Sequence, residues 1–161
     1  MMNPRVSRHL LSILLLPFMV TVVLPWLLYE RFGGLAADAP LLRGLGALLL
    51  LAGLLLFAWC VWLFFRVGRG TLAPWDPTQA LVAAGPYAYT RNPMISGVAA
   101  MLAGQALWLR SPALALWALA FVLINHAYFV LSEEPGLEQR FGQNYRDYKA
   151  RVPRWLPKLR R

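Results

Sequence analysis

The sequence has few charges, few acidic residues and almost no cysteine or histidine. Of its 161 residues 14% are charged, 7 are Asp or Glu, two are histidines and one is a cysteine. A single cysteine, Cys60, excludes a disulfide framework within the chain, and its apolar neighbours predict neither a reactive thiolate nor a zinc site. A chain that is 59% hydrophobic could not bury so much apolar surface as a soluble domain of this length. We therefore expect a membrane protein.

The apolar residues come in uncharged stretches, and a helix that crosses a bilayer needs about 20 of them. We predict an all-α integral membrane protein with four transmembrane helices, at residues 10–28, 44–65, 94–109 and 112–131. The first stretch follows Arg5 and Arg8 as in a signal peptide. It is longer than a signal sequence and lacks a small-residue cleavage site after it, so we interpret it as a retained helix. Pro17 and Pro25 should kink it.

The net charge of +9 could indicate nucleic-acid binding, but the basic residues flank the apolar stretches instead of forming one soluble module. Loops rich in Lys and Arg face the cytoplasm. Arg66, Arg69 and Arg91 lie between the second and third spans, and eight Lys or Arg follow Leu131. We expect both termini and the loop 66–93 to be cytoplasmic, in a bacterial inner membrane, with the membrane and no nucleic acid as partner.

The loop and the tail both look structured. Prolines at positions 74, 77, 86 and 93 exclude one continuous helix between residues 66 and 93, and long ordered loops are often functional. Only Arg110 and Ser111 separate the third and fourth spans, which predicts a tight helical hairpin. From Glu133 to Lys149 we predict one amphipathic helix. Its apolar face would consist of Leu137, Phe141, Tyr145 and Tyr148.

Four polar features could carry chemistry, and each has a structural alternative. Glu133 and Glu134 could be a hydrated helix end suited to the helix dipole. Residues 87–94 could be an interfacial belt or a polar pocket at a helix N-terminus. Asn125 and His126, inside the fourth span, could form an interhelical hydrogen bond or a functional pair. Residues 151–157 could be a basic, aromatic membrane anchor.

Taken together, these pieces resemble a known family. The order is Leu81-Val82-x-x-Gly85-Pro86-Tyr87-x-x-x-Arg91-Asn92-Pro93-Met94, a hairpin, Glu133-Glu134-Pro135, then Phe141-Gly142-x-x-Tyr145-x-x-Tyr148-x-x-Arg151-Val152-Pro153. It resembles the isoprenylcysteine carboxyl methyltransferases and is similar to the phospholipid N-methyltransferases, over roughly residues 66–157. The resemblance implies a methyltransferase that uses S-adenosylmethionine at the cytoplasmic membrane face.

The resemblance also implies a set of site residues. The implied cofactor contacts are Gln79, Ala80, Leu81, Val82, Tyr87, Asn92, Pro93, Met94, Ile95, Glu133 and Glu134. For catalysis we single out Glu133, Arg91 and His126. Carboxylates suit an ammonium or ribose hydroxyls, and an arginine suits a carboxylate, through charge-assisted hydrogen bonds. Methyl transfer needs positioning and exclusion of water, and neither that chemistry nor the sequence calls for a metal.

The sequence differs from the isoprenylcysteine enzymes at three positions. Asn92 occupies the position of their His, Ile95 that of their usual Tyr, and Phe129 that of an Arg linked to their substrate. Without that Arg a prenylated cysteine carboxylate lacks its cation, which argues against this substrate. An amine of a lipid, a small thiol or another lipophilic acceptor all stay open. We expect one membrane domain, 1–161, with residues 1–65 as scaffold helices and 66–161 as catalytic loop, hairpin and C-terminal helix. The alternative is a non-catalytic membrane scaffold or transport subunit.

Overall fold

The described part of the chain is mainly helical. The structure, a computed structural model, describes residues 16–36, 39–64, 66 and 81–157, and within these ranges it contains helix and no strand, which confirms the all-α prediction. The α-helices are α1 (Leu24–Phe32), α2 (Pro40–Leu63), α3 (Pro93–Leu109), α4 (Pro112–Tyr128), α5 (Glu134–Phe141) and α6 (Gln143–Arg151). The other helical elements are two π turns, Met19–Val23 and Phe129–Glu133, and a 3-10 turn, Gly85–Ala88.

Two of the helices are long and apolar enough to cross a membrane. α2 has 24 residues, and α4 continues through the second π turn into α5 as one helix of 30 residues, Pro112–Phe141. Less than a quarter of the apolar stretch of each is buried inside the protein, and Leu48 and Leu116 are 65% and 68% exposed. Because apolar surface of this extent is not stable in water, these faces suit lipid.

The other two predicted spans are less completely visible. α3 is apolar but has only 17 residues, in line with its prediction as the short span. The predicted span 10–28 is described from residue 16 onward, and from there the chain is helical as far as Phe32. The arrangement of four spans therefore stays a prediction.

α2 and α3 pack backbone against backbone along a seam of glycines. An added Cβ on Gly46 would lie 2.7 Å from the carbonyl oxygen of Gly104, and one on Gly53 would lie 2.5 Å from that of Gly97. The two glycines of α2 are seven residues apart, and so are the two of α3, so that both glycines of a helix lie on one face. Small residues allow membrane helices to approach this closely, so the glycine seam holds α3 tightly against α2.

Different connections meet at the two ends of the bundle. At one end the Leu35 N–H donates to the Arg110 carbonyl oxygen over 3.0 Å, and the Ser111 hydroxyl donates to the Gly33 carbonyl oxygen over 2.8 Å. Arg110 has a left-handed backbone, with φ 51°, which closes the tight hairpin between α3 and α4 as predicted. At the other end the loop before α3 meets the C-terminal residues. Helices that cross a membrane in alternating directions would place the two sets of connections at opposite ends in this way.

Pro25 causes the first π turn. Proline has no N–H, so the Thr21 carbonyl loses its usual helical donor. The Leu24 N–H bonds to the Met19 carbonyl oxygen, five residues back, and so the Val20 carbonyl loses its donor as well. The predicted kink of the first helix is therefore a single widened turn with two freed carbonyl groups.

Side chains from α3 and α4 occupy both of these freed carbonyl groups. Gln105 Nε2 donates to the Thr21 carbonyl oxygen over 2.7 Å, and Trp117 Nε1 donates to that of Val20 over 3.1 Å. Away from water a backbone carbonyl needs such a partner. The two bonds close the first π turn and fasten it to the hairpin.

The second π turn repeats this geometry before Pro135. The Glu134 N–H bonds to the Phe129 carbonyl oxygen, five residues back, and Pro135 has no N–H to give. The Glu134 N–H, which would bind the Val130 carbonyl in an α-helix, is therefore taken by Phe129. The residue that would bind it in a π-helix is Pro135, which has no N–H. The Leu131 carbonyl also loses its α-helical donor, because that donor would be the N–H of residue 135, which is proline.

The prediction of one new helix from Glu133 to Lys149 is wrong at both its start and its middle. The π turn carries the helix from Pro112 past Pro135 without a break, because a widened turn makes room for the proline ring. Gly142, with φ 55°, then ends α5 and starts α6. The predicted apolar face does form: Leu137 and Phe141 pack against the buried cluster of Tyr145, Tyr148 and Val152.

Candidate functional site

The loop before α3 is held by its own 3-10 turn and by α6. Gly85, at φ 59°, turns the chain so that Pro86 and Tyr87 are buried, and the Tyr87 ring packs edge-on against Phe64. The Tyr148 hydroxyl donates to the Tyr87 carbonyl oxygen over 2.7 Å. Burial raises the pKa of both tyrosines, so Tyr148 keeps the proton that makes this bond.

The C-terminal segment, residues 152–157, runs beside the end of this loop. The Arg91 N–H donates to the Pro153 carbonyl oxygen over 2.9 Å. The Thr90 hydroxyl lies 2.9 Å from the Arg154 carbonyl oxygen and 3.1 Å from that of Trp155. The start of α3 is therefore fixed to residues more than sixty positions later in the chain.

Glu134 is the centre of a cluster of cations. Its carboxylate accepts a hydrogen bond from Arg154 Nε over 2.7 Å and one from Nη2 over 3.1 Å. Arg91 Nη1 lies 2.8 Å from it and Lys149 Nζ 3.4 Å. Burial acts to raise the pKa of Glu134, but the hydrogen bond from Arg154 and the charges of all three cations outweigh burial and lower this pKa. Glu134 is therefore ionised at neutral pH and fully engaged.

The adjacent Glu133 is in a different electrostatic state. Residues 112–131 already measure about 30 Å along the helix, the thickness of the bilayer core, so Glu133 lies beyond the apolar span. Burial, and after it the negative charge of Glu134, raise the pKa of Glu133 to about 7. Among the described residues no cation forms an ion pair with Glu133. Two adjacent carboxylates thus differ in charge near neutral pH, a pattern typical of functional sites.

Arg91 retains an unused donor. Its side chain is 11% exposed, and its buried Nε has no hydrogen-bond partner within the described part of the chain. The contact of Nη1 with Glu134 is an ion pair that lacks hydrogen-bond geometry. A buried guanidinium with an unsatisfied N–H can bind an anion, because a ligand would supply the missing acceptor.

An open groove of about 500 Å³ lies beside the charge cluster. It is lined by Val130, Glu134, Pro135, Glu138, Gln139, Arg146, Lys149 and Arg154. Its lining does not include Glu133, Asn92 or His126. Val130 of the second π turn and two cations of α6, Arg146 and Lys149, therefore face the groove, whereas Glu133 does not line it.

The predicted cofactor contacts fall into several places. Asn92 precedes α3, and its carbonyl oxygen accepts hydrogen bonds from the Ser96 N–H and the Ser96 hydroxyl, each over 3.0 Å. Pro93 is buried in the first turn of α3. Met94 packs against the cluster of Cys60, Leu63, Val82 and Tyr87, whereas Ile95 packs deeper in the hairpin against Val98, Met101, Leu102 and Phe121.

The remaining predicted contacts belong to the loop. Val82 is buried beside Tyr87, and Leu81 packs against the cluster of Tyr145, Tyr148 and Val152. Gln79 and Ala80 lie outside the described residues. Leu81 and Val82 therefore connect the loop to two different apolar clusters.

His126 and Asn125 do not form a polar pair inside the hairpin. Asn125 Nδ2 donates to the Phe121 carbonyl oxygen of its own helix over 2.8 Å. His126 is exposed, and its Nδ1 accepts a hydrogen bond from Trp155 Nε1 over 3.0 Å, with the two rings stacked. This contact connects α4 with the C-terminal segment. Arg154 and Trp155 thus bind other parts of the protein, so this segment does more than anchor the chain to a membrane.

Two cations at the site, Arg154 and Lys149, were not among the predicted site residues. Their basic character fits a cytoplasmic tail, and nothing in their spacing indicates that they meet a carboxylate 20 or 15 positions earlier. The one available signal was the pairing of an acidic residue, Glu134, at the edge of an apolar span with so basic a tail, because an acidic residue buried there requires a counter-ion.

The fold and this site define an all-helical membrane protein with a charged site at one end of its bundle. The family model for phospholipid methyltransferases matches residues 42–144, well over half of the chain, and the chain belongs to this family. It is also similar to an uncharacterised protein of Haemophilus influenzae: 38% of 56 aligned residues are identical, and they cover 35% of this chain and 89% of that protein. No solved structure matches.

Proposed function

We propose that this protein transfers a methyl group from S-adenosylmethionine to a lipophilic or membrane-associated acceptor. The observation that carries the proposal is the convergence of the loop before α3, the pair Glu133–Glu134 and the C-terminal segment at one end of the hairpin. Membership of the phospholipid methyltransferase family supports methyl transfer in a membrane. The use of S-adenosylmethionine and the residue roles below belong to the proposal.

The residues at this end suit the cofactor's zwitterionic amino-acid group. Arg91 has a buried Nε–H without a partner among the described residues, which suits a carboxylate. Glu133 is partly buried and, within the same ranges, unpaired, which suits an ammonium or a ribose hydroxyl. Glu134 is already engaged by Arg154 and Lys149 as well as Arg91, so its role in this proposal is to position Arg91.

S-adenosylmethionine supplies an activated methyl group when it is bound. The chain must then hold the acceptor in line and exclude water. Buried Val82 and Tyr87, with Leu81 beside them, provide an apolar wall next to the charge cluster. The other proposed cofactor contacts are Gln79, Ala80, Asn92, Pro93, Met94 and Ile95. His126 is the weakest of the proposed catalytic residues, because its Nδ1 already accepts the bond from Trp155.

The proposal includes the arrangement in the membrane. Four spans with both termini in the cytoplasm would place the site at the cytoplasmic face of a bacterial inner membrane. The scaffold would be residues 1–65, and residues 66–161 would supply the loop, the hairpin and the C-terminal helices. The meeting of the loop before α3 with the C-terminal segment at one end of the bundle supports this arrangement.

A non-catalytic scaffold or transport subunit is the alternative. Such a protein has no need for a carboxylate, Glu133, that has a raised pKa and no cation partner among the described residues, beside a second carboxylate that is held by cations. Partly buried polar groups without partners cost stability, and a binding role for Glu133 and Arg91 would account for that cost. The alternative leaves it unexplained.

The proposal is tested by titrating S-adenosylhomocysteine into the purified protein in lipid nanodiscs and measuring heat. Wild type should bind, and Glu133→Ala and Asn92→Ala should each bind about tenfold more weakly or worse. The matched control is Glu30→Ala, which removes an exposed carboxylate of α1 and should change nothing. No binding by wild type, or unchanged binding by both site variants, would contradict the proposal. Labelled methyl transfer into membrane extract then identifies the acceptor.

A further inference from the structure

The two π turns have the same cause, and each frees the carbonyl group of a valine. Val20 and Val130 each lie five residues before a proline, Pro25 or Pro135. In each turn the N–H that would serve the valine in an α-helix bonds one residue further back. The N–H that would serve it in a π-helix is missing because that residue is proline. Neither carbonyl group can be satisfied from its own helix.

The surroundings of the two turns differ. The Val20 carbonyl receives Trp117 Nε1, and its neighbour in the first turn receives Gln105 Nε2. In the part of the chain that the structure describes, no side chain donates to the carbonyl oxygen of Val130 or Leu131. The described residues thus close the first turn with side-chain donors and supply none to the second, which we call the open turn.

The open turn lies at the boundary between the groove and the lipid. Val130 lines the groove together with Glu134, and it is the residue of that lining that lies within the apolar span 112–131. Val130 is 40% exposed and Leu131 79% exposed. A molecule that enters the groove from the membrane would therefore pass Val130, whose carbonyl group receives no side-chain donor from the described residues.

We propose that the Val130 carbonyl accepts a hydrogen bond from an N–H of the group that is methylated, so that the π turn before Pro135 selects an amine over a thiol or a carboxylate. This inference depends on the proposed function and deepens it. Thiols donate only weak hydrogen bonds and carboxylates donate none. In the lining of the same groove, three cations, Arg146, Lys149 and Arg154, outnumber the carboxylates of Glu134 and Glu138. The excess positive charge favours the neutral form of an amine, which is the nucleophilic form.

The bond geometry is compatible with transfer. The nitrogen of the amine gives its lone pair to the methyl carbon, and the methyl–sulfur bond breaks with its electron pair left on sulfur. The nitrogen sheds its proton to water in the groove. Each transfer replaces one N–H by a methyl group, so a nitrogen that has no N–H left loses the bond to Val130.

The test compares two probes that differ in their N–H groups. Octylamine and N,N-dimethyloctylamine, two titratable amines of which only the first keeps an N–H when neutral, are titrated into wild-type protein that is saturated with S-adenosylhomocysteine, in nanodiscs, with the heat of binding measured. Octylamine should bind about fivefold more tightly, the value of one hydrogen bond between neutral groups. Equal affinities would overturn the inference, because the charges of the groove and its lipid contacts act alike on two amines of the same chain length.

Two proline variants test whether the turn is responsible. Pro135→Ala restores an N–H, so the backbone can return to α-helical hydrogen bonds, in which the Glu134 N–H binds the Val130 carbonyl. The ratio of the two probe affinities should then fall to about one. The matched control Pro25→Ala changes the closed turn and should keep the preference. An unchanged preference in Pro135→Ala would contradict the inference. If Pro135→Ala does not fold, the wild-type comparison decides alone. Failure to bind S-adenosylhomocysteine would instead refute the proposed function.

Discussion

The π turns at Met19–Val23 and Phe129–Glu133 use the same proline geometry in two opposite ways. In the first, the freed carbonyl groups are bound by Gln105 and Trp117, and the turn becomes a joint between the first helix and the hairpin. In the second, the described part of the chain supplies no such donors, and the turn ends at Glu133 beside the groove. A widened helical turn is thus a structural joint where the protein supplies donors and a candidate binding element where it does not.

The difference extends to what holds each region in place. Around the closed turn, packing dominates, with the Val98 and Phe121 cluster and the glycine seam nearby. Around the open turn, charge dominates, with Glu134 bound by three cations. Substitutions should therefore affect the two regions differently, and each of the following experiments tests one side of that difference.

The largest effect is expected at Glu134. Glu134→Ala removes the anion that Arg91, Arg154 and Lys149 share, and breaking a buried ion cluster from one side typically costs about 3–5 kcal/mol. We expect a marked loss of thermal stability in nanodiscs and loss of S-adenosylhomocysteine binding, because Arg91 would no longer be positioned.

The control for that experiment is the next acidic residue on the same helix. Glu138 forms only longer contacts, of 3.5 and 3.8 Å, with the exposed Arg146 and Lys149. Glu138→Ala should therefore cost less than about 1 kcal/mol. If both variants lose the same stability, charge does not hold the open turn as we describe.

A smaller effect is expected from pH. Because burial and the charge of Glu134 raise the pKa of Glu133 to about 7, this carboxyl is mostly protonated below that pH and mostly ionised above it. Only the ionised form attracts an ammonium, so the affinity for S-adenosylhomocysteine should rise about tenfold from pH 6 to pH 8. The titration is repeated at both values.

The matching variant for the pH experiment is Glu133→Gln, which keeps the shape and removes the ionisation. Its affinity should be nearly the same at both pH values. A wild-type affinity that falls as the pH rises would show that another group controls the binding.

The smallest effect is expected at the closed turn. Gln105→Leu leaves the Thr21 carbonyl without its donor, and interhelical hydrogen bonds in membrane proteins contribute roughly 0.6 kcal/mol on average. S-adenosylhomocysteine binding should not change, because the turn is remote from the charge cluster. The double variant with Pro25→Ala should recover the stability, since an alanine at that position can supply the missing N–H. A double variant that is less stable than Gln105→Leu would contradict this account of the turn.

Local patterns in the sequence predicted much of the fold and part of the site. Two adjacent residues, Arg110 and Ser111, between apolar stretches were enough to predict the hairpin, and the spacing of Leu137, Phe141, Tyr145 and Tyr148 predicted their common face. The break at Gly142 was missed because a periodic pattern continues through it. The continuous helix past Pro135 was missed because the acidic pair Glu133 and Glu134 was interpreted as the start of a new helix.

The composition of the site was harder to predict than its location. The resemblance pointed to Glu133, Glu134 and Arg91, and these lie at one end of the hairpin. It did not distinguish Glu134, which is bound by cations, from Glu133, which has no cation partner among the described residues. That difference arises from Arg154 and Lys149, which tertiary structure brings to Glu134. His126 was singled out for its place in an apolar span, but a polar residue there can equally bind another part of the same protein, and it bonds to Trp155.

The glycine seam between α2 and α3 restricts how any lipid could approach. Because the backbones of Gly53 and Gly97 leave no room even for a methyl group, an acyl chain cannot slip between these two helices. The outer surface of α4 is different, with Leu119, Leu123 and Ile124 all more than half exposed. An acceptor with a lipid tail would therefore approach along α4 and meet the groove from the side of the second π turn, with its tail still in the bilayer.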